Sequence, residues 1–151
     1  YGMSYRRELK RQLTLIPVDA RGFEWRTPKR IFDQLNGEFG FAVDVAASAE
    51  SSLCSNFFSE NSLRRQWVGV CWCNPPYGRE LGAWVKKASE SAKAGATVVC
   101  LLPASTDTAW FHEHCISREI RFIRGRLRFG GARDRAPFPS MVVVFRPGLT
   151  E

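Results

Sequence analysis

The sequence predicts a single α/β domain built on a mostly parallel sheet, with helices on both faces and a terminal antiparallel hairpin. Three observations carry this. Short apolar runs alternate with amphipathic helical stretches, residues 97–102 have the unbroken apolar character of a strand buried on both faces, and the last three strand-like runs follow one another without a helix. A length of 151 residues suits one such domain.

Residues 1–22 show no sustained periodicity and contain Pro17 and Gly22, which predicts an arm leading into a folded unit spanning 23–151. Thr27-Pro28 reads as a helix N-cap followed by proline at the first helical position. Ile31, Phe32 and Leu35 then share a face, and Gly37 supplies a stop. Residues 39–45 alternate and run into the turn Asp44-Val45-Ala46-Ala47-Ser48, whereas 49–66 are polar and irregular. The apolar run 68–72 halts at Asn74-Pro75-Pro76, because two prolines cannot continue a ladder. Residues 81–93 form an amphipathic helix through Leu81, Trp84, Val85 and Ala88, closed by Gly95. After the strand at 97–102, residues 108–115 read as a helix carrying Trp110, Phe111 and His114, and 119–123, 127–129 and 141–145 as short strands. Ligands of such sheets bind beyond the carboxyl ends of strands, which puts 44–47, 74–77 and 103–107 on one rim.

A hydrophobic fraction of 44% and a charged fraction of 25% match an ordinary soluble protein, and no apolar run approaches the roughly 20 residues that cross a bilayer. No membrane association is expected. Nothing near the start resembles a secretion signal. The five cysteines are odd in number and three lie in strand-like runs, which suits buried thiols in a reducing cytoplasm. Cys71-x-Cys73 lacks zinc spacing and a second pair, so no metal site is expected. His112 and His114 lack a nucleophilic partner in recognisable context. A net charge of +7 points to a polyanionic partner. One basic group lies at Arg6, Arg7, Lys10 and Arg11, and a second runs through Arg118, Arg121, Arg124, Arg126, Arg128, Arg133 and Arg135. A strand there would put Arg126 and Arg128 on one face.

The chemistry resides in Asn74-Pro75-Pro76-Tyr77. A planar exocyclic amine such as adenine N6 is a poor nucleophile because its lone pair is delocalised into the ring. Two hydrogen-bond acceptors, the Asn74 side-chain oxygen and the Pro75 carbonyl, can take its two hydrogens, favour a tetrahedral nitrogen and stabilise the positive charge that develops. Proline stiffens that carbonyl. Tyr77, two steps on, is placed to stack against a base that has left its duplex. With proline at about 5% of residues, the tetrapeptide arises by chance in roughly one chain per thousand of this length. It serves any planar amine, so it defines the reaction better than the acceptor.

The pieces Glu24-Trp25-Arg26-Thr27-Pro28, Phe39-Gly40-Phe41 with Asp44-Val45-Ala46-Ala47, and Trp72-Cys73-Asn74-Pro75-Pro76-Tyr77-Gly78 recur in order with Leu101-Leu102-Pro103-Ala104, Thr106-Asp107-Thr108, Trp110-Phe111-His112, Gly125-Arg126-Leu127 and Pro137-Phe138-Pro139-Ser140. In this the chain resembles the phage-type DNA N-6-adenine methyltransferase family over nearly its whole length after residue 23. The resemblance implies a Rossmann-like class I methyltransferase fold, S-adenosyl-L-methionine as cofactor, adenine in DNA as substrate, and a phage or prophage origin with action in a bacterial cytoplasm. It implies catalytic roles for Asn74, Pro75, Pro76 and Tyr77. It also implies a cofactor site from Trp25, Thr27, Pro28, Asp44, Val45, Ala46, Ala47 and Asn74, with Thr27-Pro28 against the methionine end and Asp44 accepting from the ammonium group. The chain has no glycine-rich loop after its first strand. Asn61 or Ser62 stands where the family has an acid before Leu63, so Asn61 joins the cofactor set, and the departure implies either weakened cofactor affinity or a contact carried by Glu60. Tyr77, Trp110, Arg126 and Arg128 form the expected DNA contacts. The competing readings are methylation of cytosine N4, RNA or protein glutamine, and a non-catalytic DNA-binding relative.

Overall fold

A computed structural model describes residues 26–130 and 134–148. The expected arm, Trp25 and Arg133 lie outside the described residues. Helix α1 (Lys29–Phe39) follows Pro28, whose φ of −58° is already helical, and ends at Gly40, a left-handed residue with φ of 67°. The Gly40 N–H donates to the Asn36 carbonyl at 2.9 Å. Two expectations for this helix change. Gly37 lies within α1 and does not stop it, because termination needs the left-handed backbone that Gly40 supplies. The helix also starts one residue later than the Thr27-Pro28 reading places it: Pro28, with ψ of 126°, is the N-cap and Lys29 the first helical residue, so Thr27 lies outside the cap position and its hydroxyl accepts from Asn74.

The sheet contains β1 (Val43–Asp44), β2 (Val70–Cys73), β3 (Thr97–Pro103), β4 (Glu119–Phe122) and β5 (Ser140–Phe145) in the spatial order β1-β2-β3-β5-β4. The β1/β2 and β2/β3 ladders are parallel, whereas β5 is antiparallel to both β3 and β4. The sheet is therefore mixed. Its first four strands run one way, and β5 is inserted in reverse between β3 and β4. All six residues of β5 are buried, as is β3 from Val98 onward, which is why both read as unbroken apolar runs.

Helix α2 (Leu81–Lys93) packs its apolar face on β3 and β5. Three other elements depart from expectation. The strand at 39–45 contracts to β1, because Phe39 completes α1 and Gly40 turns the chain. The helix at 108–115 is largely a π-helical turn, Phe111–Cys115. No strand forms at 127–129. There the Leu127 carbonyl accepts from Ala136 N–H at 2.7 Å and Gly130 pairs with Arg26, folding the segment back on itself.

Alternate residues of β2 face opposite sides of the sheet. Trp72 meets Phe32 of α1 edge-on at 5.6 Å between ring centroids and Phe41 at 5.3 Å. The far end of α1 is tied to β4: Arg121 holds the Glu38 carboxylate through two hydrogen bonds of 2.6 Å and also reaches Glu119. The guanidinium groups of Arg121 and Arg146 each lie 5.4 Å from the Phe39 ring centroid. Hydrogen bonding from Arg121 holds the Glu38 carboxyl below the usual carboxylate range. No helix among the described residues is long and apolar enough to cross a membrane.

The two glycines of this region should respond oppositely to alanine. Gly40→Ala forces a Cβ into a left-handed conformation and should cost about 1–2 kcal/mol. Gly37→Ala meets nothing within 4 Å in a helix interior and should stabilise by about 0.5–1 kcal/mol. Urea unfolding of the two variants checks both signs.

Candidate active site

The site grows from the ends of two strands. In the parallel β1/β2 pair Asp44 lies opposite Trp72, and the last rung is the Val45 N–H donating to the Trp72 carbonyl at 2.9 Å. Beyond that rung β1 turns away through Ala46, Ala47 and Ser48, and β2 breaks at the two prolines. The gap between them is a cavity of about 280 Å³, close to the small end of the roughly 300–1,000 Å³ usual for ligand sites.

The β1 turn is held internally. The Ala46 N–H donates to Asp44 Oδ1 at 3.2 Å and the Leu53 N–H to Oδ2 at 3.4 Å, while Ser48 and Ser51 exchange backbone-to-hydroxyl bonds. Residues 56–58 run alongside β1: Asp44 N–H donates to the Asn56 carbonyl and Phe58 N–H to the Asp44 carbonyl. That pairing brings the irregular 49–66 stretch to the cavity, where Phe58, Ser59, Asn61 and Ser62 form one wall. Asn61 has φ of 54°, a left-handed backbone that asparagine tolerates better than most residues. The buried Ser62 hydroxyl donates to the Val45 carbonyl and accepts from the Trp67 indole N–H, fixing this wall to the β1 turn.

Asp44 is only 3% exposed yet faces the cavity. Burial raises its carboxyl to about 6 despite the two backbone hydrogen bonds, which act in the opposite direction. A buried carboxylate whose partners among the described residues are neutral donors is suited to a cationic ligand. This is the structural observation that fits a cofactor bearing an ammonium group.

On the β2 side, Asn74 and Pro76 line the cavity. The Asn74 Nδ2 donates to Thr27 Oγ1 at 3.1 Å, and Thr27 is also on the wall. Of the other expected site residues, Ala46 and Ala47 line the cavity, whereas Val45 is buried beneath it and Pro75 is buried within the motif. Pro28 starts α1 beside Thr27 without joining the lining.

Tyr77 is placed differently from an open stacking platform. Its hydroxyl donates to the Leu101 carbonyl at 3.2 Å, and its ring is in edge contact with Phe138 at 5.5 Å and Phe129 at 6.4 Å. Burial pushes its phenol well above the usual range. Trp110 sits against Gly82 of α2, outside the cavity lining. Residues 103–107 follow β3 but do not line the cavity either.

The arginine-rich stretch divides in two. Arg118 donates to the Ser89 hydroxyl and Arg121 is held by carboxylates, whereas Arg124, Arg126, Arg128 and Arg135 are exposed. The exposed group lies on a segment docked to the cavity wall, where Gly130 N–H donates to the Arg26 carbonyl at 2.8 Å. Sequence reading missed Arg26, Ser48, Ser51, Phe58, Ser59, Ser62, Trp72 and Trp84 as cavity residues. Trp84 was visible only as part of a helix face, and the serines lie in turns with no periodic signal.

A model of the DNA N-6-adenine-methyltransferase (Dam) family matches residues 16–150. The chain belongs to this family. Among family-named relatives, the DNA N-6-adenine-methyltransferase of Escherichia phage T1 is 40% identical over 94 residues, which cover 59% of this chain and 39% of the phage protein. The YfdM protein of Escherichia coli (strain K12), named as a candidate methyltransferase, is 32% identical over 66 residues, covering 37% of this chain and 72% of its own length. The match to the phage enzyme thus spans well under half of that protein. No group of three or more potential metal ligands occurs among the described residues, and all five cysteines are free thiols, four of them buried.

The raised Asp44 carboxyl has a signed consequence. The folded state retains this proton up to about pH 6, whereas an unfolded aspartate releases it near 3.8. Stability from this group is therefore fully present below pH 3.8 and is lost as pH rises through about 6, a change approaching 3 kcal/mol. Asn at this position removes the titration. The stability difference between wild type and Asp44→Asn should shift in favour of the variant from pH 4 to 7, and a pH-independent difference would contradict this assignment.

Proposed function

We propose that this chain transfers a methyl group from S-adenosyl-L-methionine to the N6 amine of an adenine extruded from DNA. The observation that carries the reading is the juxtaposition of Asn74 and Asp44 on one cavity: an acceptor for the amine and a buried carboxylate for a cationic donor. Four co-directional strands with one reversed neighbour also support a Rossmann-like class I methyltransferase sheet, with both groups beyond the strands' carboxyl ends.

When bound, S-adenosyl-L-methionine supplies an electrophilic methyl group on a sulfonium. Asp44 would accept from its ammonium group, the Ala46-Ala47 turn and Thr27 would hold its methionine end, and Asn61 would contact its adenosine. Asn74 Oδ1 and the Pro75 carbonyl accept the two N6 hydrogens of adenine and turn the nitrogen lone pair toward the cavity. The N–C bond would form as the methyl–sulfur bond breaks, the sulfur leaving as the neutral thioether of S-adenosylhomocysteine; the positive charge that passes to the nitrogen is stabilised by both acceptors, and one N6 proton then leaves to solvent. Tyr77 stacks on the extruded base once Phe138 gives up its edge contact. Arg126 and Arg128 hold the phosphate backbone beside the opening, with Trp110 at the periphery.

Incubation with isotopically labelled cofactor and DNA, followed by nucleoside analysis, should yield N6-methyladenine. Methylated cytosine as the sole product would overturn the choice of acceptor. Asn74→Ala should lower methyl transfer by about a hundredfold or more while S-adenosylhomocysteine binds with near wild-type affinity, because the lost acceptor acts mainly in the transition state. That same affinity should strengthen as pH rises through about 6 and Asp44 ionises, and Asp44→Asn should abolish the pH dependence. For DNA, Arg126→Ala and Arg128→Ala should each reduce the slope of log affinity against log salt by about 1.

A further inference from the structure

We propose that Arg26 binds the carboxylate at the amino-acid end of the cofactor, completing with Asp44 a two-charge clamp for a zwitterion. The inference deepens the methyl-transfer reading above and rests on it. Among the described residues that line the cavity, Arg26 and Asp44 alone are ionisable, one cation and one anion. The amino-acid end of S-adenosyl-L-methionine carries one charge of each sign, on groups attached to the same carbon. A phosphate in this cavity would be repelled by the carboxylate, and a simple cation would leave the guanidinium without a partner.

Opposite charges on one wall serve a ligand only if they do not neutralise each other. The Asp44 carboxylate accepts from the Ala46 and Leu53 N–H groups at 3.2 and 3.4 Å and makes no ion pair with Arg26. The Arg26 side chain forms no hydrogen bond or ion pair with any described residue, in contrast to Arg118 and Arg121, which are held by Ser89 and by Glu38. Several neutral donors of the wall are committed elsewhere: Ser48 and Ser51 bond to each other, and the Ser62 hydroxyl donates to the Val45 carbonyl. A guanidinium offers paired N–H donors that match a carboxylate. Asp44 is buried and Arg26 exposed, so the ammonium group lies inward and the carboxylate stays at the rim.

The backbone that carries Arg26 is fixed. Arg26 and Gly130 form an isolated antiparallel bridge in which the Gly130 N–H donates to the Arg26 carbonyl at 2.8 Å, and a Cβ at Gly130 would lie 3.3 Å from the Arg26 Cβ. Two residues on, Pro28 restricts the backbone of Thr27. The guanidinium thus extends from a root held beside the cavity.

Calorimetry with S-adenosylhomocysteine and two truncated analogues, one lacking the carboxylate and one lacking the amino group, tests each charge separately. In the wild-type protein, loss of the carboxylate should weaken binding by about tenfold. Arg26→Gln should weaken S-adenosylhomocysteine by about tenfold yet leave the decarboxylated analogue within about twofold of its wild-type affinity, because the partner of the guanidinium is already gone. Asp44→Asn should in the same way leave the analogue without the amino group nearly unaffected. Arg26→Lys should recover part of the affinity, since it keeps the charge without the paired donors. In Arg26→Gln the slope of log DNA affinity against log salt should be unchanged, unlike the change of about 1 expected for Arg126→Ala.

Equal losses of both ligands in Arg26→Gln overturn the proposal, as does S-adenosylhomocysteine binding indifferent to the substitution. A lowered salt slope with unchanged cofactor affinity also overturns it and makes Arg26 a phosphate contact. The wild-type comparison needs no variant: a decarboxylated analogue that binds as tightly as S-adenosylhomocysteine overturns the carboxylate contact however the variants fold. Those outcomes leave methyl transfer standing. A folded wild type that binds no S-adenosylhomocysteine at millimolar concentration overturns the methyl-transfer reading and the role of Arg26 with it.

Discussion

The site depends on one pairing, Asp44 of β1 opposite Trp72 of β2. It makes two parallel strands end at the same level, so that a turn with a carboxylate and a proline-broken segment with an amide open onto one cavity. The register is enforced by size. Trp72 is wholly buried against Phe32 and Phe41, and a slip of one residue would drive its indole through to the opposite face of the sheet. Aromatic packing several residues from the chemistry thereby sets the distance between the two functional groups. The exchange is not free for the fold, because the same register buries Asp44, whose partners among the described residues are neutral.

The parts of this arrangement that were legible in the sequence are those with a local cause. Asn74-Pro75-Pro76 ends a strand wherever it occurs, the unbroken apolar run at 97–102 becomes β3, and the α2 stripe through Leu81, Trp84, Val85 and Ala88 is buried as its spacing implies. What was illegible had a partner distant in the chain. Thr27 carries a capping signature, yet its hydroxyl is engaged by Asn74, forty-seven positions away. Gly37 has stop composition, but a helix stops where the backbone turns left-handed, and that choice fell on Gly40. Residues 49–66 have no periodicity because their role is to follow β1 and wall the cavity through backbone bonds, which any side chain permits. The insertion of β5 between β3 and β4 likewise leaves no mark in either strand's composition. Both simply read as buried.

Positive charge behaves in the same way. A stretch of arginines looks uniform in sequence, but their neighbours separate them by function. Arg121 and Arg146 flank the Phe39 ring and bind carboxylates, closing α1 over the sheet edge, and Arg118 reaches Ser89 while its guanidinium lies over Phe145. Arginines satisfied in this way have little left for a polyanion. The exposed ones, Arg124, Arg126, Arg128 and Arg135, lie on a segment that is bonded to Arg26 of the cavity wall through Gly130. A basic surface useful to a base-modifying enzyme must lie beside its pocket, and net charge alone does not specify that.

That segment also carries Phe129 and Phe138, whose rings hold Tyr77 by its edges. Tyr77 is 3% exposed, so neither face of its ring is open to a base in this conformation. Space for a stacked base has to come from displacement of a neighbour, because interiors of this density do not stretch to admit an extra ring. Phe138 is the neighbour that can yield: it is half-buried, whereas Phe129 is almost completely enclosed. Among its described residues, the chain between β4 and β5 therefore bears a group of exposed arginines, the Phe138 ring packed against Tyr77, and the backbone bond to Arg26 on the cavity wall. On the proposed reading, contact with a phosphate backbone would act on the same segment as the ring that must yield for a base to stack on Tyr77.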